Sequence, residues 1–145
     1  MGSIGSNLQE VKARIGAACA RAGRDAQSVT LLAVSKTFGP EAVREAHAAG
    51  QRAFGENYVQ ESLDKIAALA DLRAHLEWHL IGPLQSNKTR PVAEAFDWVH
   101  TVDRLKIAER LAAQRPHYGP ALQVCLQVQV EDEPQKGGVS PADLP

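Results

Sequence analysis

A lysine that closely follows a buried apolar segment has the clearest potential for chemistry in this sequence. Residues 29–34 (VTLLAV) form a continuous apolar run rich in β-branched side chains, and Lys36 comes two positions later. Such a run predicts a strand buried on both faces, as in parallel sheets. An amine at the mouth of such a sheet is partly stripped of water, which favours a neutral amine able to form a Schiff base with an aldehyde. A solvated lysine at a strand end is the alternative that position alone leaves open.

Further polar side chains fall where other predicted strands end. Asn57 follows the second strand, and residues 78–88 (WHLIGPLQSNK) place a histidine, two amides and a lysine around one strand-to-helix turn. Amides can hold a ring hydroxyl or a carboxylate, and a helix start can hold an anion. For His79 a hydrogen-bonded structural histidine is the default interpretation. We predict no metal site, and the motifs of phosphate loops and of serine or cysteine nucleophiles are absent.

The elements that would position these residues alternate regularly between strand and helix. Strand onsets near residues 30, 52, 76, 97 and 121 recur every 21 to 24 positions. This alternation predicts a parallel sheet with helices packed on it, and the even spacing favours a (β/α) barrel over a doubly wound sheet. The predicted strands are 29–34, 52–55, 76–81, 97–101 and 121–130, and the predicted helices are 7–22, 41–49, 59–72, 88–95 and 104–114. Asn7 and Asp103 are the predicted caps of the first and last helix.

The length of the chain limits this barrel. A complete barrel takes eight strands and about 200 residues or more, whereas these 145 residues supply about five strands. We therefore expect an incomplete (β/α)8 barrel of the TIM type in one domain, residues 1–145. Such a sheet has two unpaired edges and uncovered apolar surface.

The fifth predicted strand alternates between apolar and polar residues. Its apolar residues occupy every second position from Leu122 to Val130, and the positions between them hold Gln123, Cys125, Gln127 and Gln129. In a barrel the apolar face would meet the helices and the glutamine face would point inward. An edge strand with its glutamines in water is an equally good interpretation.

The composition argues against several classes of protein. The chain has 16 Lys and Arg against 17 Asp and Glu, so no basic excess is available to neutralise the phosphates of a nucleic acid. No apolar run approaches the roughly 20 residues of a membrane helix, and no secretory signal is present. Cys19 and Cys125 lie far apart, which argues against a disulfide framework. We expect a cytoplasmic protein without nucleic-acid or membrane partners.

Four collinear motifs resemble the pyridoxal phosphate homeostasis protein family, one-domain relatives of the N-terminal barrel of alanine racemase. They are residues 33–37 (AVSKT), 54–61 (FGENYVQE), 78–88 (WHLIGPLQSNK) and 99–104 (VHTVDR), and the similarity runs from the first helix to about Val139. The resemblance implies a barrel that holds pyridoxal 5′-phosphate (PLP) as a Schiff base on Lys36. It implies no catalytic residue, and it implies that five further residues line the cofactor pocket: Asn57, His79, Gly82, Gln85 and Asn87.

The sequence departs from the family pattern in two ways. The family continues for several more strands, and that further half carries the loops that hold the cofactor phosphate. No residue of this chain is therefore assigned to the phosphate. After the fifth strand, residues 131–138 (EDEPQKGG) put Gly137 at a serine position and are more acidic than expected beside an anionic ligand.

Three functions compete. The first, which we favour, is a PLP-binding protein without catalytic turnover that serves vitamin B6 and amino-acid homeostasis, with PLP-dependent apo-enzymes as candidate recipients. The second is a PLP-dependent amino-acid racemase, which needs a second acid/base residue that alanine racemases take from another domain. The third is an inactive fragment that retains PLP weakly and self-associates through its uncovered edges, whereas full-length family members are expected to be monomers.

Overall fold

The computed structural model describes residues 3–130 and 137–145, in which strands and helices alternate along the chain. The helices are α1 (Ile4–Ala22), α2 (Pro40–Ala48), α3 (Val59–Ala68), α4 (Thr89–Ala95) and α5 (Leu105–Gln114). The strands are β1 (Ala33–Val34), β2 (Ala53–Glu56), β3 (Glu77–Leu80), β4 (Trp98–Val102) and β5 (Gln123–Leu126). Short 3₁₀ turns cover Ala26–Ser28, Ala70–His75, Ser86–Lys88 and Pro141–Asp143.

The five strands form one parallel sheet in the order β1-β2-β3-β4-β5. The predicted α/β architecture of about five parallel strands with intervening helices is therefore confirmed. Parallel crossovers are almost always right-handed, so a sheet in chain order carries its helices on one face. Because the strands are parallel, their carboxyl ends all lie along one border of the sheet, which we call the carboxyl edge, and their amino ends lie along the opposite border, the amino edge. The face of the sheet opposite the helices is called the inner face.

The core lies between the sheet and the helices. Phe54, Trp78, Leu80 and Val99 point from neighbouring strands toward the helices and are almost completely buried. They pack with buried residues of the helices, namely Val43, Ile66, Val92, Ile107 and Leu111. Burial of each large apolar side chain stabilises the fold by about 1.5–3 kcal/mol. Burial of the apolar side chains against the helices thus determines which face of each strand points toward the core.

Both predicted helix caps are wrong. Helix α1 begins earlier than expected, because Ser3 is its N-cap and accepts a hydrogen bond from the Ser6 amide at 3.1 Å. Asn7 therefore lies inside the helix. Asp103 does not cap α5; its Oδ2 instead accepts a hydrogen bond from the Gly138 amide at 3.0 Å. Asp103 therefore binds a backbone amide that is distant in sequence and not the first turn of its own helix.

Two strands and one helix are shorter than predicted by four or more residues, and the other bounds differ by one or two residues at most apart from the start of α1. Only Ala33 and Val34 of the first apolar run pair with β2, and only residues 123–126 of the fifth form a strand. Beyond β5, Val128 makes an isolated parallel bridge with Val139. Helix α3 ends at Ala68, and the rest of the predicted helix is part of a 3₁₀ turn. Apolar character alone predicts burial but not where pairing stops.

Strand β5 matches neither of its two interpretations fully. Val124 is 46% exposed and Leu126 is 58% exposed, so its apolar side faces solvent, whereas Leu122 just before the strand packs against the core. Cys125 and Gln127 on the other side are partly buried. The strand is an edge strand, but water meets its apolar face because no described helix covers it.

None of the helices in the described ranges has the length and apolar character needed to cross a bilayer. The acidic loop expected after the fifth strand lies, over residues 131–136, outside the described residues.

Candidate functional site

Lys36 lies at the carboxyl edge of the sheet. The Ser35 amide donates to the Gly55 carbonyl at 2.9 Å, which is the last hydrogen bond between β1 and β2. Lys36 is the next residue, and strand alternation puts it on the inner face with Val34. The expected partial desolvation is not found, because Lys36 is exposed. β1 is an edge strand, so no described strand shields the amine on its outer side.

Beneath Lys36, on the helix side of the sheet, lies a buried ion pair. The Lys65 ammonium on α3 donates to Glu56 Oε2 at 2.8 Å and to the Ser35 carbonyl at 2.7 Å. The side chains of Lys65 and Glu56 are 3% and 0% exposed. The Ser35 hydroxyl also donates to Glu56 Oε2. This pair ties the end of β1 to the end of β2 and to α3.

Glu61 extends this arrangement to the residue after Lys36. Its Oε1 accepts from the Thr37 amide at 2.6 Å and from the Lys65 ammonium at 3.3 Å. Thr37 has φ +66°, a left-handed conformation that β-branched residues rarely adopt. The two residues that flank Lys36 are therefore both held by α3.

Sequence reasoning missed Lys65 and Glu61 as parts of the site. The available signal is that Lys65 lies on the buried side of α3 with Ser62 and Ile66, four positions after an acid. A lysine on an apolar helix stripe needs a buried acceptor, and Glu56 and Glu61 provide it.

Asn57 and Gly82 meet where β2 and β3 end. A Cβ atom on Gly82 would lie 2.1 Å from the Asn57 carbonyl oxygen, so only glycine permits this approach. The Thr101 hydroxyl donates to the Gly82 carbonyl at 2.8 Å and links β4 to the same point. Asn57 Oδ1 is buried and has no hydrogen-bond partner among residues 3–130 and 137–145. Such an unsatisfied amide can accept a ligand group.

His79 has both ring nitrogens engaged. Its Nε2 lies 2.6 Å from Glu77 Oε1, and its Nδ1 lies 2.8 Å from His100 Nε2. The His79 ring also stacks on Trp98, with ring centroids 5.4 Å apart. Burial, and secondarily the neighbouring His79, lower the pKa of His100 below its ordinary value of 6.5. His79 thus behaves as the structural histidine of the default interpretation.

Gln85 and Asn87 are exposed, and neither side chain makes a hydrogen bond to the described part of the chain. Asn87 lies in a 3₁₀ turn that also includes Lys88, so α4 begins at Thr89, one residue after the predicted start. The structure brings Asn57 and Gly82 together, but no contact joins either exposed amide to Lys36.

The sheet has a cavity at each edge. A cleft of about 600 Å³ at the amino ends is lined by Arg73 and Arg115, whose guanidinium groups are bonded to backbone carbonyls. A smaller cavity of about 340 Å³ lies beside the ends of β3, β4 and β5, with Thr101, Asp103 and Gln127 in its lining. Ligands of parallel α/β folds bind at the carboxyl edge. The smaller cavity lies at that edge, but none of the six site residues predicted from the sequence is in its lining.

The described residues contain no group of three His, Cys, Asp or Glu side chains placed to hold a metal ion.

Comparisons with known proteins give consistent matches. The family model described as alanine racemase, N-terminal domain, matches residues 6–145. A Pseudomonas aeruginosa protein named pyridoxal phosphate homeostasis protein is 62% identical over 145 residues, which cover 100% of this chain and 62% of the relative. A protein of the same name from Escherichia coli K12 is 54% identical, with 99% and 62% covered. The chain thus spans about six tenths of the length of these relatives.

Solved structures are also similar to this chain in fold and in sequence. PipY of Synechococcus elongatus without PLP has a TM-score of 0.85 and 45% identity, covering 98% of this chain and 61% of that one. PipY with PLP bound has a TM-score of 0.81 and 44% identity, covering 98% and 60%.

Proposed function

We propose, from the premise that this chain belongs to the alanine racemase N-terminal domain family, that it contributes to a PLP-binding protein of vitamin B6 and amino-acid homeostasis. The resemblance predicted from the four sequence motifs is confirmed by that membership and by the names of the relatives. In the proposal Lys36 holds PLP as a Schiff base, residues 1–145 act as one domain, and the protein works in the cytoplasm without catalytic turnover.

The position of Lys36 is the observation that carries the proposal. It is the first residue after the last ladder bond of β1, at the carboxyl edge and on the inner face of the sheet. When bound, PLP supplies an aldehyde with which an unprotonated lysine amine condenses, with loss of one water molecule. PipY, a relative solved with PLP bound, supports the choice of cofactor.

The neighbouring residues fit such a ligand. The buried Oδ1 atom of Asn57 is a polar group without a described partner, and an amide can present either its oxygen or its nitrogen to a ring substituent. Gly82 keeps the β3 loop close to Asn57, and His79 with Trp98 forms an aromatic wall on the inner face. Gln85 and Asn87 would join the pocket from their exposed loop.

The absence of turnover is proposed on chemical grounds. Two-base racemisation requires a second acid/base group across the cofactor from the lysine. His79, the histidine of the motif at residues 78–88, has both ring nitrogens engaged by Glu77 and His100. Exchange of the α-proton of alanine in deuterated water tests this point, and exchange above the rate of free PLP would favour a racemase-like enzyme.

The experiment that tests the binding proposal is a titration of the chain with PLP, followed by borohydride reduction and peptide mapping. We expect a visible Schiff-base band and one predominant PLP adduct on Lys36. Lys36→Ala should lose the band, whereas Lys106→Ala, which removes an exposed lysine from α5, should keep it. Equal adducts on all exposed lysines, or an unchanged band in Lys36→Ala, would contradict the proposal.

A further inference from the structure

The arrangement of α3 beneath the end of β1 suggests a role beyond packing. Two side chains of α3, Lys65 and Glu61, meet the backbone on the two sides of Lys36, and Glu56 of β2 accepts a hydrogen bond from Lys65. We call these three side chains the α3 clamp. The Lys65 ammonium has three acceptors, at 2.7 Å, 2.8 Å and 3.3 Å, which matches its three N–H donors. The clamp therefore has a defined geometry.

The clamp holds the backbone before and after Lys36 through separate hydrogen bonds, and the contact between Lys65 and Glu61 links the two. Before Lys36, the Ser35 carbonyl accepts from Lys65. After Lys36, the Thr37 amide donates to Glu61 and the backbone is in the left-handed region. A left-handed threonine is unfavourable by itself, and the Glu61 contact stabilises this turn together with the hydrogen bond from the Phe38 amide to the Ser35 carbonyl at 3.1 Å. The Cα atom of Lys36 is thus held between two anchored peptide groups.

Stability alone explains this clamp poorly. Taking a carboxylate and an ammonium out of water is unfavourable, and well-packed apolar residues often replace such pairs without loss. The Glu56 carboxylate is also incompletely satisfied, since its Oε1 has no hydrogen-bond partner in the described ranges. Directional contacts to the residues around Lys36 are what apolar packing could not supply.

We propose that Lys65 and Glu61 are positioning residues for Lys36, which set the direction of its amine by fixing Ser35 and Thr37. This inference rests on the proposed Schiff base at Lys36. Neither residue touches the cofactor in the proposal, so both act only through the backbone on either side of Lys36.

Glu61 gives the sharper test because its side chain is 34% exposed, so its replacement leaves the core intact. Glu61→Ala removes the acceptor of the Thr37 amide, Glu61→Gln retains an oxygen there, and Asp64→Ala removes an exposed acid from the same helix.

The first measurement uses the chain without cofactor and follows hydrogen exchange of the Thr37 amide by NMR. Loss of a hydrogen bond to a charged group should speed this exchange at least about tenfold in Glu61→Ala. Glu61→Gln should recover most of the protection, and Asp64→Ala should match the original chain.

The second measurement titrates the same variants with PLP and quantifies the Lys36 adduct after reduction. We expect the affinity for the Schiff base to fall at least several-fold in Glu61→Ala and to recover in Glu61→Gln. Lys65→Met should show the same loss if it folds, and the Glu61 variants decide the question if it does not.

The outcomes separate this inference from the proposed function. Faster Thr37 exchange with an unchanged Lys36 adduct would overturn the positioning role while leaving the binding proposal intact. Unchanged Thr37 exchange in Glu61→Ala would overturn it as well. If the original chain forms no Lys36 adduct, the proposed function fails, the positioning role falls with it, and the exchange data then describe a purely structural contact.

Discussion

At the carboxyl edge, close contacts with other strands restrict which residue type fits a position more than the backbone conformation of that position does. Gly82 is an example, because its backbone angles suit any residue and only the Asn57 backbone excludes a side chain there. His79 is another, since its partner His100 lies on the next strand. At this scale, stability and the candidate site depend on the same few atoms.

Replacement of Gly82 by alanine should destabilise the fold. The added Cβ atom would lie 2.1 Å from a backbone oxygen, so the β2 and β3 ends must move apart. Overpacking of this kind costs about 1–3 kcal/mol, measurable as a lower midpoint in urea unfolding. Gly16→Ala is the matched control, because its Cβ atom meets nothing within 4 Å and alanine should stabilise α1 by about 0.5–1 kcal/mol. Equal stability of the two variants would contradict the close approach.

The lowered pKa of His100 predicts a loss of stability in acid. Below about pH 6.5 the unfolded chain takes up a proton at this histidine, whereas the folded chain resists it until a lower pH. The free energy of unfolding should therefore fall as the pH decreases from 6.5, and its His100 contribution is fully present only above that pH. Urea unfolding at several pH values checks this, and His100→Gln should flatten the dependence. An identical pH slope in the variant would assign the effect to other groups.

At the scale of the elements, the two edges of the sheet differ in how they are held. At the amino edge Arg73 and Arg115 donate hydrogen bonds to backbone carbonyls in the last turn of α4, just before β4. At the carboxyl edge the buried ion pair between Lys65 and Glu56 ties the ends of β1 and β2 together, and the loops carry glycine, side-chain amides and the exposed Lys36. Barrels use the amino edge for stability and the carboxyl edge for function, and the site proposed at Lys36 would follow that division.

Arg115→Lys should therefore weaken the fold without affecting PLP capture. The Arg115 guanidinium donates to the Ala93 carbonyl at 2.8 Å and to the Pro120 carbonyl at 3.0 Å, which a single ammonium cannot reproduce. We expect a loss of about 1–2 kcal/mol in thermal or urea unfolding. The yield of the Lys36 adduct under folding conditions should stay the same, and a reduced yield would show that the amino edge also shapes the site.

At the scale of the whole molecule, the sheet ends in an edge strand whose apolar side faces water. Val124 and Leu126 on β5 are 46% and 58% exposed, and β1 forms the opposite edge. Exposed edges with apolar faces promote pairing between chains. Self-association of this chain remains a prediction.

Leu126→Lys should reduce that self-association. A lysine on an edge strand opposes pairing with another chain, and loss of one leucine contact weakens association by about tenfold. Sedimentation velocity over a range of concentrations measures the effect. Leu105→Lys removes a leucine that is 75% exposed at the start of α5 and should change nothing. Equal behaviour of both variants would show that β5 is not the contact.

The local patterns of the sequence determined the class of fold and the approximate positions of the strands and helices. They also identified Lys36 as the candidate reactive lysine. Those features follow from which residues are apolar and how these residues recur along the chain, which the sequence shows directly. The family resemblance assigned Asn57 and Gly82 to the cofactor pocket, and the structure brings these two residues together.

Only the tertiary structure decided the partners and the exposure of these residues. The Lys65 contact to Ser35 spans 30 positions and the His79 contact to His100 spans 21, so each depends on which strands and helices become neighbours and in what register. Lys36 is exposed because β1 is an edge, and Asp103 meets Gly138 rather than its own helix. Register and edge position arise from packing of the whole sheet, and a local pattern of residue types contains neither.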